Sequence, residues 1–196
     1  MLLKGALHVH TTCSDGVLTI PEVASVYAEL GFGFVAITDH DHLLRGDRPE
    51  LPDRQAARGL LLFRGVELTV FEKGYLHVSR IEGDTEVLHV FNHPAQLDLP
   101  LDRVIERITA VARTIPIDAV EVTSQGFYTP EFDVPAIPYP KVATDDAHDR
   151  KACGRAWIEL DAPRDKDAII RAIKRGEFRN HYTNRDHEAS AGVHTL

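Results

Sequence analysis

Cysteine is nearly absent from this sequence: Cys13 and Cys153 are the two in 196 residues. Two thiols make no disulfide framework, so a stapled secreted scaffold is excluded and a reducing compartment fits. Long apolar runs are missing too, and nothing approaches the roughly 20 residues that a spanning helix needs. The start, MLLKGALHVH, lacks the uninterrupted apolar core of a secretory signal, and no terminal lipidation motif is present. The expectation is a cytoplasmic protein with no membrane partner. There is no internal repeat, low-complexity tract or linker that would divide the chain. Positive charge is in deficit, 22 Lys and Arg against 30 Asp and Glu, for a net charge of −8. That argues against wrapping nucleic acid by bulk electrostatics. It suits a soluble enzyme, the more so if bound cations neutralise some carboxylates. Residues 164–185 reverse the balance, with seven basic against three acidic residues, and read as a solvated helix face.

What remains is ordinary globular composition, 43% hydrophobic and 27% charged. ALHVHT (6–11) reads as a strand. PEVASVYAELG (21–31) reads as a helix, with Pro21 in its first turn and Gly31 as its stop. FGFVAIT (32–38) is the continuous apolar run of a strand covered on both faces. A helix is expected over 49–58, a strand within 60–71, a turn at Lys73-Gly74, and strands over 75–81 and 86–91. Then come a helix over 100–113, strands over 117–123, 141–145 and 156–160, and a closing helix over 166–175 stopped by Gly176. Segment 124–140 reads as a long surface loop of the kind that is often functional. The alternation of strand and helix predicts an α/β fold with a largely parallel sheet closed into a compact barrel. One domain over 1–185 is expected, followed by a polar tail at 186–196. In such barrels functional residues gather at the C-terminal strand ends.

The metal-ligating residue types fall there. His8 and His10 lie two apart, so on a strand both imidazoles share one face. Asp15 follows in the next loop. Asp39-His40 close the second strand, Glu67 sits late in the third, His77 on the fourth and His93 after the fifth. Asp146 and His148 follow KVAT. A single strand-end histidine is usually a structural, hydrogen-bonded residue, and an isolated loop aspartate a turn or cap residue. Nine of these residues, all but Asp39, spread over six strand ends are better explained together, as a metal site. Imidazole plus carboxylate suits zinc, manganese or iron, whereas calcium or magnesium sites carry few histidines.

LHVHTTCSDG, AITDHD, GVE, NHP and DDAH, in that order, closely resemble the motifs of the polymerase-and-histidinol-phosphatase (PHP) family of metal-dependent phosphoesterases. The resemblance runs from residue 7 to about 148. It implies a distorted seven-stranded (β/α) barrel of the TIM-like type and two or three divalent ions. One ion would be held by His8, His10, Glu67 and Asp146, a second by Glu67, His77 and His93, and a third by Asp15, His40 and His148. The implied activity is hydrolysis of a phosphate ester, most simply a small phosphomonoester, by in-line attack of a hydroxide bridging the metals. Asp15, His40, Glu67 and Asp146 would act catalytically through those ions. Asp39 would orient a ligand rather than bind metal.

Other residues keep two readings. His42 could touch substrate or donate a proton, or be a plain loop histidine. Arg45 and Arg150, with Lys73 and Arg155, are candidate phosphate binders by their nearness to the motifs, though a solvated surface position explains any one of them. Glu121 lines the pocket without binding metal, Cys13 is a small packed residue, and His89 is structural. His181, His187 and His194 belong to a polar tail. Asp145 stands where the family has a small hydroxyl residue. Three rivals remain: a nuclease acting on nucleic-acid ends, an amidohydrolase that would prefer a lysine carbamate where this chain has Glu67, and a metal-binding domain without catalysis.

Overall fold

The computed structural model describes residues 1–46, 51 and 59–183. The helix expected over 49–58 (Leu51 apart) and the tail at 186–196 lie outside them. Among the described residues, eleven strands and three α-helices follow in the order β1 (Leu2–Ala6), α1 (Ile20–Glu29), β2 (Phe34–Ile37), β3 (Leu61–Phe71), β4 (Tyr75–Glu82), β5 (Val87–Phe91), α2 (Leu101–Val111), β6 (Ala119–Glu121), β7 (Thr123–Ser124), β8 (Phe127–Tyr128), β9 (Lys141–Val142), β10 (Ala156–Asp161), α3 (Lys166–Lys174) and β11 (Arg179–Tyr182). Among the described residues no helix is long and apolar enough to cross a membrane.

Nine strands form one mixed sheet in the order β11-β10-β1-β2-β3-β4-β5-β6-β9. The expected seven-stranded (β/α) barrel is therefore corrected to a nearly closed, barrel-like mixed sheet. Pairing is parallel for β1-β2-β3 and for β5-β6-β9. It is antiparallel for β3-β4-β5, where a tight turn allows a hairpin, and for β1-β10-β11. The seam is drawn together at two levels. The Asn180 amide on β11 donates to the Lys141 carbonyl on β9 (2.8 Å) and accepts from the Ala143 N–H (2.8 Å). At the mouth, Val9 bridges in parallel to Ala147.

Alternation along the strands explains how the sheet is covered. Phe34 and Ala36 of β2 point into a core shared with Phe63, Ile81, Leu88 and Ile158, where α3 inserts Ile169, Ile170 and Ile173. Their neighbours Val35 and Ile37 point outward to α1, which presents Val23, Ala24 and Tyr27. Val78, Phe91 and Val120 pack outward against Val104, Ile108 and Val111 of α2. Gly5 is required at its place because an added Cβ would lie 1.9 Å from the Phe34 ring. Helix α1 starts at a capping box: Thr19 caps the Glu22 N–H while Glu22 accepts from the Thr19 N–H. Within 124–140, Gln125 and Gly126, both at positive φ, turn the small β7–β8 hairpin, and Phe132 and Ile137 are buried in the α2 cluster.

Candidate metal centre

Past Ala6 the chain leaves the sheet proper but stays extended, pinned by His10 N–H to Ala147 O (2.9 Å) and Thr38 N–H to Val9 O (2.8 Å). Val9 packs outward, so His8 and His10 turn inward to the mouth, where both are buried. Asp39 fixes the loop that follows. Its carboxylate accepts from Thr11 N–H (2.7 Å), Thr11 Oγ1 (2.8 Å) and Ser14 Oγ (2.6 Å). A side chain at Gly16 would meet the His10 backbone at 2.6 Å, so the loop closes tightly and brings Asp15 back over the mouth. The Asp15 carboxylate lies 3.4 Å from His10 Nδ1, 3.6 Å from His40 Nε2 and 3.4 Å from His148 Nε2.

The nine residues converge. Glu67, fully buried on β3, has imidazole nitrogens of His8 at 3.4 Å, His10 at 3.3 Å, His40 at 3.0 Å, His77 at 3.2 Å and His93 at 3.1 Å. Asp146 Oδ1 is 3.4 Å from both His8 Nε2 and His10 Nε2, which are themselves 3.0 Å apart. Two donors each about 2.1 Å from one cation lie about 3.0–3.5 Å apart in octahedral or tetrahedral coordination, so these spacings fit the edges of a coordination shell. His10 Nδ1, His40 Nδ1 and Glu67 Oε2 are buried without a hydrogen bond, an arrangement that buried polar atoms normally avoid. Four overlapping groups could each hold an ion: His8, His10 and Asp146; His8, Glu67 and His93; His40, Glu67 and His77; and His10, Asp15, His40 and His148. Relative to the expected division, His10 also joins the Asp15 group, Glu67 groups with His93 and His8 and separately with His77 and His40, and the His8, His10 and Asp146 group forms without Glu67.

Burial works against charge on His8 and His10, yet the facing carboxylates win. His8 is raised well above the usual histidine value by Asp146, Glu67 and Glu121. Asp146, Asp15 and Glu67 raise His10 to about 10. His40, where burial dominates, is lowered to about 4 and stays neutral. Glu67 and Asp146 are held well below the carboxylate range by the same histidines, although burial opposes this.

Several supporting residues escaped the sequence reading. Asn92 donates to Glu67 Oε1 (2.7 Å) and to Ser79 Oγ (2.9 Å), fixing the central carboxylate. Tyr27, on α1, gives its hydroxyl to Asp145 (2.6 Å), and the Gly154 N–H bonds the same oxygen (2.6 Å). Asp145 is thus buried beside Asp146 but turned to the other side, and burial raises it to about 7. Glu121 bonds His8 Nδ1 (3.2 Å) and the His93 N–H (3.0 Å). Its nearness to the pocket was legible; its grip on two ligands was not. Two candidate ligands, His93 (φ 25°) and Asp146 (φ 47°), have left-handed backbones, a strained conformation that clusters at functional sites.

The polar candidates around the mouth separate. His42 stands at the rim, with Nδ1 2.8 Å from Thr69 Oγ1. Arg45 is exposed, and its N–H bonds the Cys13 carbonyl. Arg150 reaches away from the mouth to Glu29 on α1 (3.1 Å). Arg155 instead lines a cavity of about 200 Å³ together with Asp146, His148, Gln125 and Asp149. His181 belongs to β11 rather than to a tail and stacks on Trp157 at 5.3 Å. His187 and His194 lie outside the described residues.

No family model matches the chain. Over 110 residues, 56% of the chain, it is 34% identical to the 5'-3' exoribonuclease Rnm of Salmonella typhimurium (strain LT2), and it spans 35% of that protein's length. Its fold matches that of a two-domain protein from Bacteroides vulgatus containing a predicted PHP-like metal-dependent phosphoesterase. That match has a TM-score of 0.72 and 19% identity, covering 93% of this chain and 65% of that one. An amidohydrolase from Chromobacterium violaceum, solved with bound sulfate and no metal, matches with a TM-score of 0.61 and 15% identity, over 92% of this chain and 99% of that one. These likenesses show the fold that the chain shares with both proteins.

Proposed function

We propose that the chain is a metal-dependent hydrolase of phosphate esters, with a small phosphomonoester as its substrate. The observation that carries this reading is Glu67, a buried carboxylate with five imidazoles at coordination spacing. His8, His10, Glu67 and Asp146 would hold one divalent ion, Glu67 with His77 and His93 a second, and Asp15, His40 and His148 a third. Zinc, manganese or iron suits this donor set. When bound, such ions neutralise phosphate oxygens, acidify a water and stabilise the leaving oxygen.

The chain's own residues do the rest. Glu121 on His8 Nδ1 keeps Nε2 turned to the cluster, and Asn92 orients Glu67. Asp39 holds the loop that delivers Asp15. Arg155 pairs with a non-bridging phosphate oxygen from the wall of its cavity. Thr69 steadies His42 at Nδ1, which leaves Nε2 to hydrogen-bond the leaving oxygen at the rim.

A second reading, hydrolysis at a nucleic-acid end, is favoured by the similarity to an exoribonuclease. The amidohydrolase reading fits less well, because the central residue is Glu67 and not a lysine that could be carbamylated. Turnover of phosphomonoesters, oligonucleotides and amides by metal-loaded protein separates the three. Metal-dependent release of phosphate is expected, and turnover of amides alone would overturn the proposal.

A further inference from the structure

The face of the β3–β4 hairpin that carries the ligands continues beyond them. Its register is unbroken: Gly65 opposes Ile81, Glu67 opposes Ser79, Thr69 opposes His77 and Phe71 opposes Tyr75. Side chains alternate with period two, so Glu67, Thr69 and Phe71 share one face, as do Ser79, His77 and Tyr75. The bond from Thr69 Oγ1 to His42 Nδ1 shows that this face looks onto the mouth. Read upward, the ladder passes from apolar core at Phe63 and Ile81 to ligands, and then to two aromatic rings. Phe71 and Tyr75 are 71% and 73% exposed. Their centroids are 5.4 Å apart, with the planes crossed at 71°. At about 3.4 Å rise per residue, the pair stands about 7 Å above Thr69 and His77 and about 14 Å above Glu67. The turn beyond them is closed by a bond from Glu72 N–H to Gly74 O (2.9 Å), with Lys73 and Gly74 both at positive φ.

We propose that Phe71 and Tyr75 form a stacking platform for the nucleobase of a phosphate ester whose phosphate lies at the Glu67 cluster. The proposal rests on the phosphoesterase reading and narrows it to nucleotides, free or at the end of a strand. An aromatic surface held above a phosphate site at roughly the full span of a nucleotide suits a base, since every base offers a π-face. A compact sugar phosphate would fill the cluster without touching either ring.

The test compares wild type, F71A/Y75A and the conservative F71Y/Y75F. Each is assayed with metal on a 5'-mononucleotide and on ribose 5-phosphate, and titrated with a fluorescein-labelled single-stranded RNA hexamer. For F71A/Y75A the mononucleotide KM, the hexamer Kd or both should rise roughly 5- to 100-fold. The kcat, the ribose 5-phosphate KM and the Tm should stay near wild type, and F71Y/Y75F should behave as wild type. A rise confined to the hexamer assigns the platform to strand ends; a rise with the mononucleotide shows that a free nucleotide suffices. Equal shifts for base-bearing and base-less substrates, or none, would overturn the proposal and leave the pair as a hairpin clasp. Failure of the phosphoesterase reading looks different: wild type then turns over no phosphate ester, while the hexamer titration still decides whether the rings bind bases.

Discussion

Among the described residues, Glu67 has a position that no other carboxylate shares. It belongs to two of the four potential ion groups and lies within 3.4 Å of five histidines. Glu67→Ala should therefore remove two bound ions together, read by metal titration of the purified variant; loss of one ion would mean that the carboxylate does not bridge. Histidines and carboxylates were legible in the sequence because their chemistry is carried by residue type and strand-end spacing. Asn92 was not, since an asparagine matters only through the neighbour that folding gives it. The arginines show the same limit. Nearness in sequence favours Arg150, but a turn over 149–154, with Gly154 at φ 77°, sends Arg150 out to Glu29 and leaves Arg155 on the cavity. Arg155→Ala should raise KM for a phosphate ester roughly 10- to 100-fold, the effect of one charged hydrogen bond, with kcat little changed. Arg150→Ala should leave both constants as they are.

At the scale of elements, α1 does more than cover the sheet. Its capping box sets where the helix starts, and the Tyr27 hydroxyl then lands on Asp145, directly beside a proposed ligand. Tyr27→Phe keeps the ring but leaves a buried carboxylate with one partner fewer. A loss of about 1.5–3 kcal/mol is expected in denaturant unfolding, accompanied by weaker metal binding; an unchanged midpoint would show that Asp145 finds another donor. Most elements were visible as apolar periodicity. Strand β1 stops at Ala6, earlier than the sequence implies, yet His8 and His10 still share a face because the Val9–Ala147 bridge keeps the segment extended. Strand β11 was missed: Arg179-Asn180-His181-Tyr182 is a polar edge strand with one buried side chain, and polar edges lack the alternation that identifies a strand.

For the whole molecule, the sequence conveyed the α/β class and the clustering at one mouth, but not the sheet. Seven barrel strands were expected. The extra pairing comes from β10 and β11, which join antiparallel at the β1 edge, a partnership between chain ends that local pattern cannot reveal. The pooled charge at the mouth makes a pH prediction. His10, raised to about 10, contributes stability to metal-free protein that is fully present below about 6.5 and lost as pH rises through 10. Asp145, raised to about 7, likewise costs stability as pH climbs from about 4 through 7. Metal binding requires deprotonated ligands and runs the other way. The Tm difference between metal-loaded and chelator-treated protein should therefore widen from pH 6 to pH 8 in calorimetry; a constant difference would mean that the ions bind elsewhere. The most direct measurement is metal analysis of the purified protein by mass spectrometry. Two or three equivalents of zinc, manganese or iron per chain are predicted, and a chain holding near-zero transition metal, and taking up none on titration, would contradict the account.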